Sequence, residues 1–276
     1  MEKIEKRSKE KPGHKLNTTS LLERKAGDYS AWWSVVIISG GLALWEVASR
    51  CELISPLFFP PPSLIMGTIQ ETAVSGDLLI NTRKTLYRMF SGLFIGGLFG
   101  LVSGLALGWN PRLKAVFNPL IAAAHPIPKI AIFPLIMVIF GIGDVSKIAV
   151  VAVTAFFPML INSIAGVEQI NPVHFEAAAN FNASPWMIFR KVLLPGSLPM
   201  IMAGFRLAIN MSLVLTIAAE LVSSNDGLGA IIWLSWEIFR IRELYAGIAV
   251  IAVLGIFFNF AIEIISDRLA PWRRGA

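Results

Sequence analysis

Residues 175–199 read FEAAANFNASPWMIFRKVLLPGSLP. The stretch lies between two long apolar runs and is too polar for lipid, yet it carries Phe175, Phe181, Trp186, Met187, Ile188 and Phe189. A plain connector between membrane spans has no use for so much apolar surface, so the segment is expected to bind something. Its local chemistry divides it into two short helices. Three consecutive alanines favour helix from Glu176 through Phe181, and Pro172 and Glu176 suit a helix start. Asn182 accepts the left-handed conformation, so it ends that helix and turns the chain. Ser184-Pro185 restarts it, with a capping hydroxyl followed by proline at the first helical position. Trp186 to Val192 form the second helix, and Leu194-Pro195 is expected to end it. The predicted product is a bent elbow over residues 170–195. Such an elbow suits docking into a groove on a partner; the competing reading is an amphipathic pair lying on lipid.

The chain around this segment is built for a membrane. Of its 276 residues, 55% are hydrophobic and 15% charged, and the mean hydropathy is +0.66. A soluble domain carries about 25% charged residues. Met89–Trp109 holds no charge over 21 residues, and Ile148–Val167 none over 20. Roughly 20 helical residues cross the hydrocarbon core. Six spans are predicted, at about 32–49, 83–109, 114–140, 146–168, 198–222 and 243–266, so the fold class is an all-α polytopic membrane protein. Residues 1–31 read as a basic, solvated tail without the apolar stretch of a signal peptide. Residues 32–268 form the membrane domain and 269–276 a second tail. The single cysteine, Cys51, excludes an internal disulfide and reads as a small apolar filler.

Lysine and arginine set the orientation. With the N-terminus in the cytoplasm, fifteen of the 24 basic residues fall on that side and seven on the other. Both termini and the elbow are then cytoplasmic. SPLFFPPPS at 55–63 is an extended external connector, because its prolines lack donors and fix φ; Ser63 is expected to cap a short external helix. GLGAIIWLSWEIF at 227–239 is a second short external helix. Span two places Gly92, Gly96, Gly100, Gly104 and Gly108 in one slowly winding row. Small residues let helices approach closely in lipid, and an intramolecular neighbour is the favoured partner. Span three is broken by HPIPK at 125–129. Backbone freed by proline at membrane depth must be buried in protein or line a wet cavity, so this span faces the interior.

The residues now resemble a known family. Glu176-Ala177-Ala178, Asn182 in the place of a glycine, and Leu194-Pro195 are similar to the signature loop of ABC importer permeases. LISPLFFPPPS, HPIPKIAIFPLIMVIFGIGDVSKI, AFFPMLINSIAGV and AGFRLAI…AAEL extend the resemblance from about Leu53 to Trp272. They are similar to the permeases for sulfonates, taurine, nitrate, bicarbonate and related small solutes. The resemblance implies a type I importer fold in the bacterial inner membrane. It implies a second permease copy, two cytoplasmic ATPase subunits and an external solute-binding protein. Glu176, Ala177, Ala178, Asn182, Trp186, Leu194 and Pro195 become the ATPase-coupling residues. Lys129 and His125 stand where the family more often has proline and arginine.

No stretch fits the phosphate-binding G-x-x-x-x-G-K-[ST] loop, and GIGDVSK at 141–147 has the wrong spacing. No catalytic residue, metal site, cofactor or nucleic-acid contact is expected; the positive charge sits at the ends and in loops. Ionisable side chains within spans need a partner, water or an escape to the interface. Glu46 and Glu263 are read as interfacial, and Arg88 as interfacial or paired with an external acid. Glu220 is either an ion-pair member or a gate residue. His125, Lys129, Asn162 and Glu220 are the candidate pathway residues. Lys129 would give the pathway a positive potential for a small anion or zwitterion, or would pair with an acid such as Glu220. A multi-span structural or sensory protein recruiting a cytoplasmic partner is the alternative to a transporter. A secondary transporter would show an inverted repeat, and none is visible.

Overall fold

A computed structural model describes residues 18–223 and 225–269, with side chains from Trp32 onward. Most of the predicted basic tail and residues 270–276 lie outside the described residues. The chain forms two compact units, residues 1–63 and 64–276.

In the first unit, α1 (Thr18–Arg50) begins well before the expected span. LLERKA, just inside it, consists of good helix formers, which explains the early start. Trp32, Ile37 and Leu44 on its spanning part are exposed, as lipid-facing residues should be. The connector folds back on the end of α1: Ser49 Oγ donates to the Phe59 carbonyl at 2.6 Å. Ser63 does not act as a cap. Pro62 opens α2 (Pro62–Val74) with its fixed φ, and the Ser63 N–H is taken by Glu46 at 2.9 Å. Glu46 also pairs with Arg50. Cys51 is exposed rather than packed.

The second unit holds α3 (Asp77–Trp109), α4 (Pro111–Ala124), α5 (Phe133–Phe140), α6 (Asp144–Glu168) and α7 (Pro172–Asn180). It continues with α8 (Pro185–Ile188), α9 (Leu194–Ser223), α10 (Leu228–Glu237) and α11 (Ile241–Leu269). The glycine row of α3 meets α6 along its whole length. A Cβ added at Gly92 would lie 2.6 Å from Val151 Cβ, one at Gly104 2.6 Å from the Leu160 carbonyl, and one at Gly108 2.8 Å from Val167 Cβ. One at Gly96 would overlap the Ala152 carbonyl. The row is therefore an intramolecular seam.

That seam also settles the number of crossings. Contacts advance in the same direction on both helices, so α3 and α6 are parallel. The chain leaves α3 at one end and enters α6 at the opposite end. Residues 110–143 must travel the length of a span between them. They do so as α4 and a helical stretch over Lys129–Phe140, bent by 84° at the HPIP break. Among the described residues five unbroken helices have the length and apolarity to cross, and counting this bent pair as one span gives six. α9 runs antiparallel, since Gly166 packs on Ser197 while Gly204 packs on Asn162 and Pro158. One core unites the bundle, with Met89 and Leu93 of α3, Met159 of α6, Ile209 of α9 and Phe258 of α11.

Candidate coupling elbow, broken span and ion-pair clasp

The elbow forms as its sequence dictates. The Asn171 side chain accepts from the Val173 N–H at 3.0 Å, and Pro172 opens α7. At the other end Asn182 has φ 51°. Its N–H donates to the Ala179 carbonyl at 2.9 Å, and the Ala183 N–H to Ala178 at 3.0 Å. This is the paired bond pattern of a left-handed helix cap. Ser184 Oγ accepts from the Met187 N–H at 3.3 Å, and Pro185 starts α8.

Leu194-Pro195 does not end the second helix. A π-helical turn, Phe189–Leu193, leads directly into α9, so helix runs unbroken from Pro185 to Ser223. Pro195 has no N–H, and in a regular helix its ring would press on the carbonyl four residues back. The wider turn, in which the Leu194 N–H bonds to the Phe189 carbonyl, gives that ring room.

The apolar residues of the elbow divide into anchors and a display. Phe175, Phe189, Val192 and Leu194 pack on the main core, and Phe175 meets Trp109 edge-on at 6.4 Å. Phe181 is 87% exposed and Trp186 68%; Met187 also faces out. Trp186 stacks on Phe189 at 5.5 Å, which fixes the displayed indole to the anchored ring. Glu176 and Ala177 are exposed, while Ala178 and Pro195 are half-buried.

At the broken span, the Lys129 ammonium binds the backbone carbonyls of the bend. Its ammonium donates to the Ala124, His125 and Ile127 carbonyls at 3.1, 2.6 and 2.8 Å. A lysine has three donors, and all three are used. The ammonium also lies 4.4 Å from the centre of the Phe157 ring, and His125 lies 5.6 Å from the same ring. His125, Lys129 and Phe157 thus form one cluster. Asn162 stands apart from it, in the α6–α9 crossing beside Gly204, where its amide donates to the Pro158 carbonyl at 2.8 Å.

Glu220 is fully buried and its carboxylate is taken within the clasp, so it does not pair with Lys129. Its partner is Arg88, 2% exposed, whose Nη1 lies 2.7 Å from Glu220 Oε1. The same guanidinium binds Asp144 at the start of α6 at 2.6 Å, and both the side chain and carbonyl of Asp226 in the α9–α10 loop. One α3 cation thereby holds three separate segments. Thr85 Oγ1 donates to Glu220 at 2.8 Å. Three successive amides at the start of α10 are taken by side chains. Gly227 N–H donates to Asn81 Oδ1 at 2.6 Å, Leu228 N–H to Thr85 Oγ1 at 2.9 Å, and Gly229 N–H to Glu220 Oε2 at 3.0 Å. Gly227 is required here on two counts: its φ is +105°, and a Cβ would run into the Glu220 carboxylate. Lys84 lies 3.2 Å from Asp226, and the buried Lys147 of α6 belongs to the same charge set. The hydrogen bond from Arg88, with Lys84 beside it, holds the Asp226 carboxyl below its usual range. Asp144, Asp226, Thr85 and Asn81 were not singled out by the sequence. The signal that could have found them is the two charges, Arg88 and Glu220, in apolar helices, each of which demands a partner.

An apolar helical bundle with an exposed aromatic elbow, a bent helix pair and a buried ion-pair clasp has the build of a multi-pass membrane protein. Residues 96–275 match the family of binding-protein-dependent transport system inner membrane components, and the chain belongs to that family. It is a permease subunit of an ATP-binding-cassette importer with the type I fold. Over 236 residues it is 32% identical to the taurine transport system permease protein of Escherichia coli, covering 84% of this chain and 86% of that protein. It is 28% identical over 260 residues to a putative aliphatic sulfonates transport permease of Bacillus subtilis, covering 94% of each. Among solved structures, the inward-facing MetNI methionine ABC transporter shares the fold, with a TM-score of 0.60 at 22% identity. That match covers 71% of this chain and 98% of the other.

Proposed function

We propose that this chain moves a small anion or zwitterion, of the sulfonate or taurine kind, into the bacterial cytoplasm. In this reading it acts as a homodimer with two cytoplasmic ATPase subunits and an external solute-binding protein, and carries no catalytic residue of its own. Residues 32–268 are the membrane domain, both termini and residues 170–195 are cytoplasmic, and residues 55–80 and 225–240 are external. His125, Lys129, Asn162 and Glu220 act on the pathway or its gates. With its donors engaged, Lys129 offers a passing anion charge rather than a hydrogen bond. The substrate class is supported by relatives named for taurine and aliphatic sulfonates.

The observation that carries the reading is the elbow. It displays Phe181, Trp186 and Met187 while Phe175 and Phe189 root it in the core, and it is continuous with α9. A displayed surface without a rigid root would bind a partner but transmit nothing. The test is a reconstituted transporter in proteoliposomes carrying Glu176→Lys or Trp186→Ala. Both variants should insert and fold, and both should lose solute-stimulated ATP hydrolysis and taurine uptake. Stimulation near the wild-type level in either variant would show that the elbow does not couple. Labelling of a cysteine at position 180 from outside intact cells, in a Cys51→Ser background, would overturn the orientation.

A further inference from the structure

At the clasp end of the bundle a niche of about 360 Å³ opens between α2, the start of α3, α10 and the start of α11. Asp77, Asn81, Arg240 and Glu243 contribute its polar wall. Arg240 is partnered by Glu243 at 3.6 Å. The Asp77 carboxylate has the Ser75 hydroxyl at 3.1 Å and no cation among the described residues. The wall therefore carries one exposed carboxylate that no cation pairs with among the described residues. α10 also ends here, at Glu237, and a helix C-terminus favours a cation.

Asn81 belongs to the niche and to the clasp at once. It lines the niche and donates to the Asp77 carbonyl at 2.8 Å, while its Oδ1 accepts the Gly227 N–H. Gly227 is the first of the three amides that tie the α9–α10 junction to α3. The α3–α6 seam is interlocked through its glycines, so these two helices move as one body. Arg88 and Asp144 stay together within it. At this end the α9–α10 junction is held to that body by Asn81, Thr85, Lys84 and Arg88.

We propose that this niche receives a basic side chain of the external solute-binding protein, and that Asn81 relays its arrival to the α9–α10 junction. The inference rests on the orientation and partners proposed above, which make this end external. An incoming ammonium or guanidinium is attracted by Asp77 and competes with the Gly227 N–H for Asn81 Oδ1. Once Asn81 turns to the occupant, the first tie of the junction is lost. The remaining ties then meet water, where an ion pair is weak. Docking thus loosens the junction without stranding Arg88, which keeps Asp144.

Hydrogen exchange on the full chain in nanodiscs tests the relay without the partner. Thr72→Cys, at the niche wall on α2, is introduced with Cys51→Ser. It is then modified with aminoethyl methanethiosulfonate, which installs a lysine-like ammonium, or with the sulfonatoethyl reagent of opposite charge. The ammonium adduct should speed exchange of the Gly227–Gly229 amides about tenfold, and the sulfonate adduct should not. Asn81→Leu should give the fast exchange with no adduct at all. Equal effects of the two adducts, or wild-type exchange in Asn81→Leu, would overturn the relay. The occupant is tested separately, by ATP hydrolysis of the assembled transporter with a solute-binding protein added. Asp77→Lys should abolish the stimulation and leave basal hydrolysis intact. Undiminished stimulation in Asp77→Lys would overturn the assignment of the niche to that partner. Absence of stimulation in the wild type would instead sink the proposed partnership with a solute-binding protein on which the occupant rests.

Discussion

Replacing Arg88 with methionine should be among the most damaging single changes in this chain. Methionine keeps much of the side-chain stem and removes the guanidinium. Glu220, fully buried, then keeps the hydrogen bonds from the Thr85 hydroxyl and the Gly229 amide but loses its ion-pair partner. Removing one member of a buried ion pair costs about 3–5 kcal/mol, because the other charge stays in a low-dielectric site. A typical domain has only about 5–15 kcal/mol to lose. At about 2–4 °C per kcal/mol for a large domain, the melting midpoint should fall by roughly 10 °C. The double variant Arg88→Met/Glu220→Gln should recover about 1–3 kcal/mol of that loss, since the neutral amide can keep the Thr85 and Gly229 contacts. Thermal unfolding of purified protein in nanodiscs, followed by tryptophan fluorescence, reads both values. A single variant that melts within a degree or two of the wild type would refute the reasoning. So would a double variant no more stable than the single.

Four further outcomes follow from the geometry. Gly96→Ala should weaken the α3–α6 seam, its methyl overlapping the Ala152 carbonyl, by at least about 1–3 kcal/mol. Gly97→Ala, with nothing nearer than 3.8 Å, should melt like the wild type. Asn182→Gly should keep ATPase coupling, because glycine adopts the same left-handed backbone, whereas Asn182→Val should impair it. Lys129→Met should cost about 1–3 kcal/mol, by removing the ammonium from the His125 and Ile127 carbonyls, and an unchanged melting midpoint would argue against this capping role. The Asp226 carboxyl titrates below its ordinary value of 3.8. Its contribution is therefore complete above that value and lost as pH falls through the lower folded one. Exchange at Gly227–Gly229, corrected for intrinsic rates, should be flat from about pH 8 to 5 and rise only below about 4.

What the sequence made legible was governed by local backbone demands or by a repeated pattern. Ser184-Pro185 and Asn182 act within four residues of themselves, and their caps form as read. The glycine row announces a seam because only close approach explains a glycine every fourth residue from Gly92 to Gly108. The misreadings have equally physical causes. Pro195 looks like a stop only if the helix before it is regular; a π turn removes the conflict, and no local signal distinguishes the two cases. Lys129 was offered distant acids as partners, yet carbonyls within five residues of it were already free. The clasp was half visible. Arg88 and Glu220 each demanded a counter-charge, but they lie 132 positions apart, and nothing in one sequence fixes which buried charges converge.

The continuity of helix from Pro185 to Ser223 changes how the two ends of the molecule should be related. Had Leu194-Pro195 ended the elbow helix, a loop would separate the docking surface from the membrane, and force applied at Trp186 would dissipate there. Instead Trp186 and Glu220 stand on one helical run, about 50 Å apart at 1.5 Å per residue. Its near end carries the displayed aromatics and its far end the carboxylate held by Arg88. Along the way α9 is packed on α6 at Gly166 and Gly204, where small residues permit a close crossing and leave it a natural pivot. A tilt about that crossing moves the elbow and the clasp in opposite senses. The π turn at Phe189–Leu193 is the point where this lever departs from α-helical geometry below the pivot. Straightening or tightening that turn would change how far a given elbow movement travels. The same helix thus carries the displayed aromatics of the elbow at one end and the carboxylate held by Arg88 at the other.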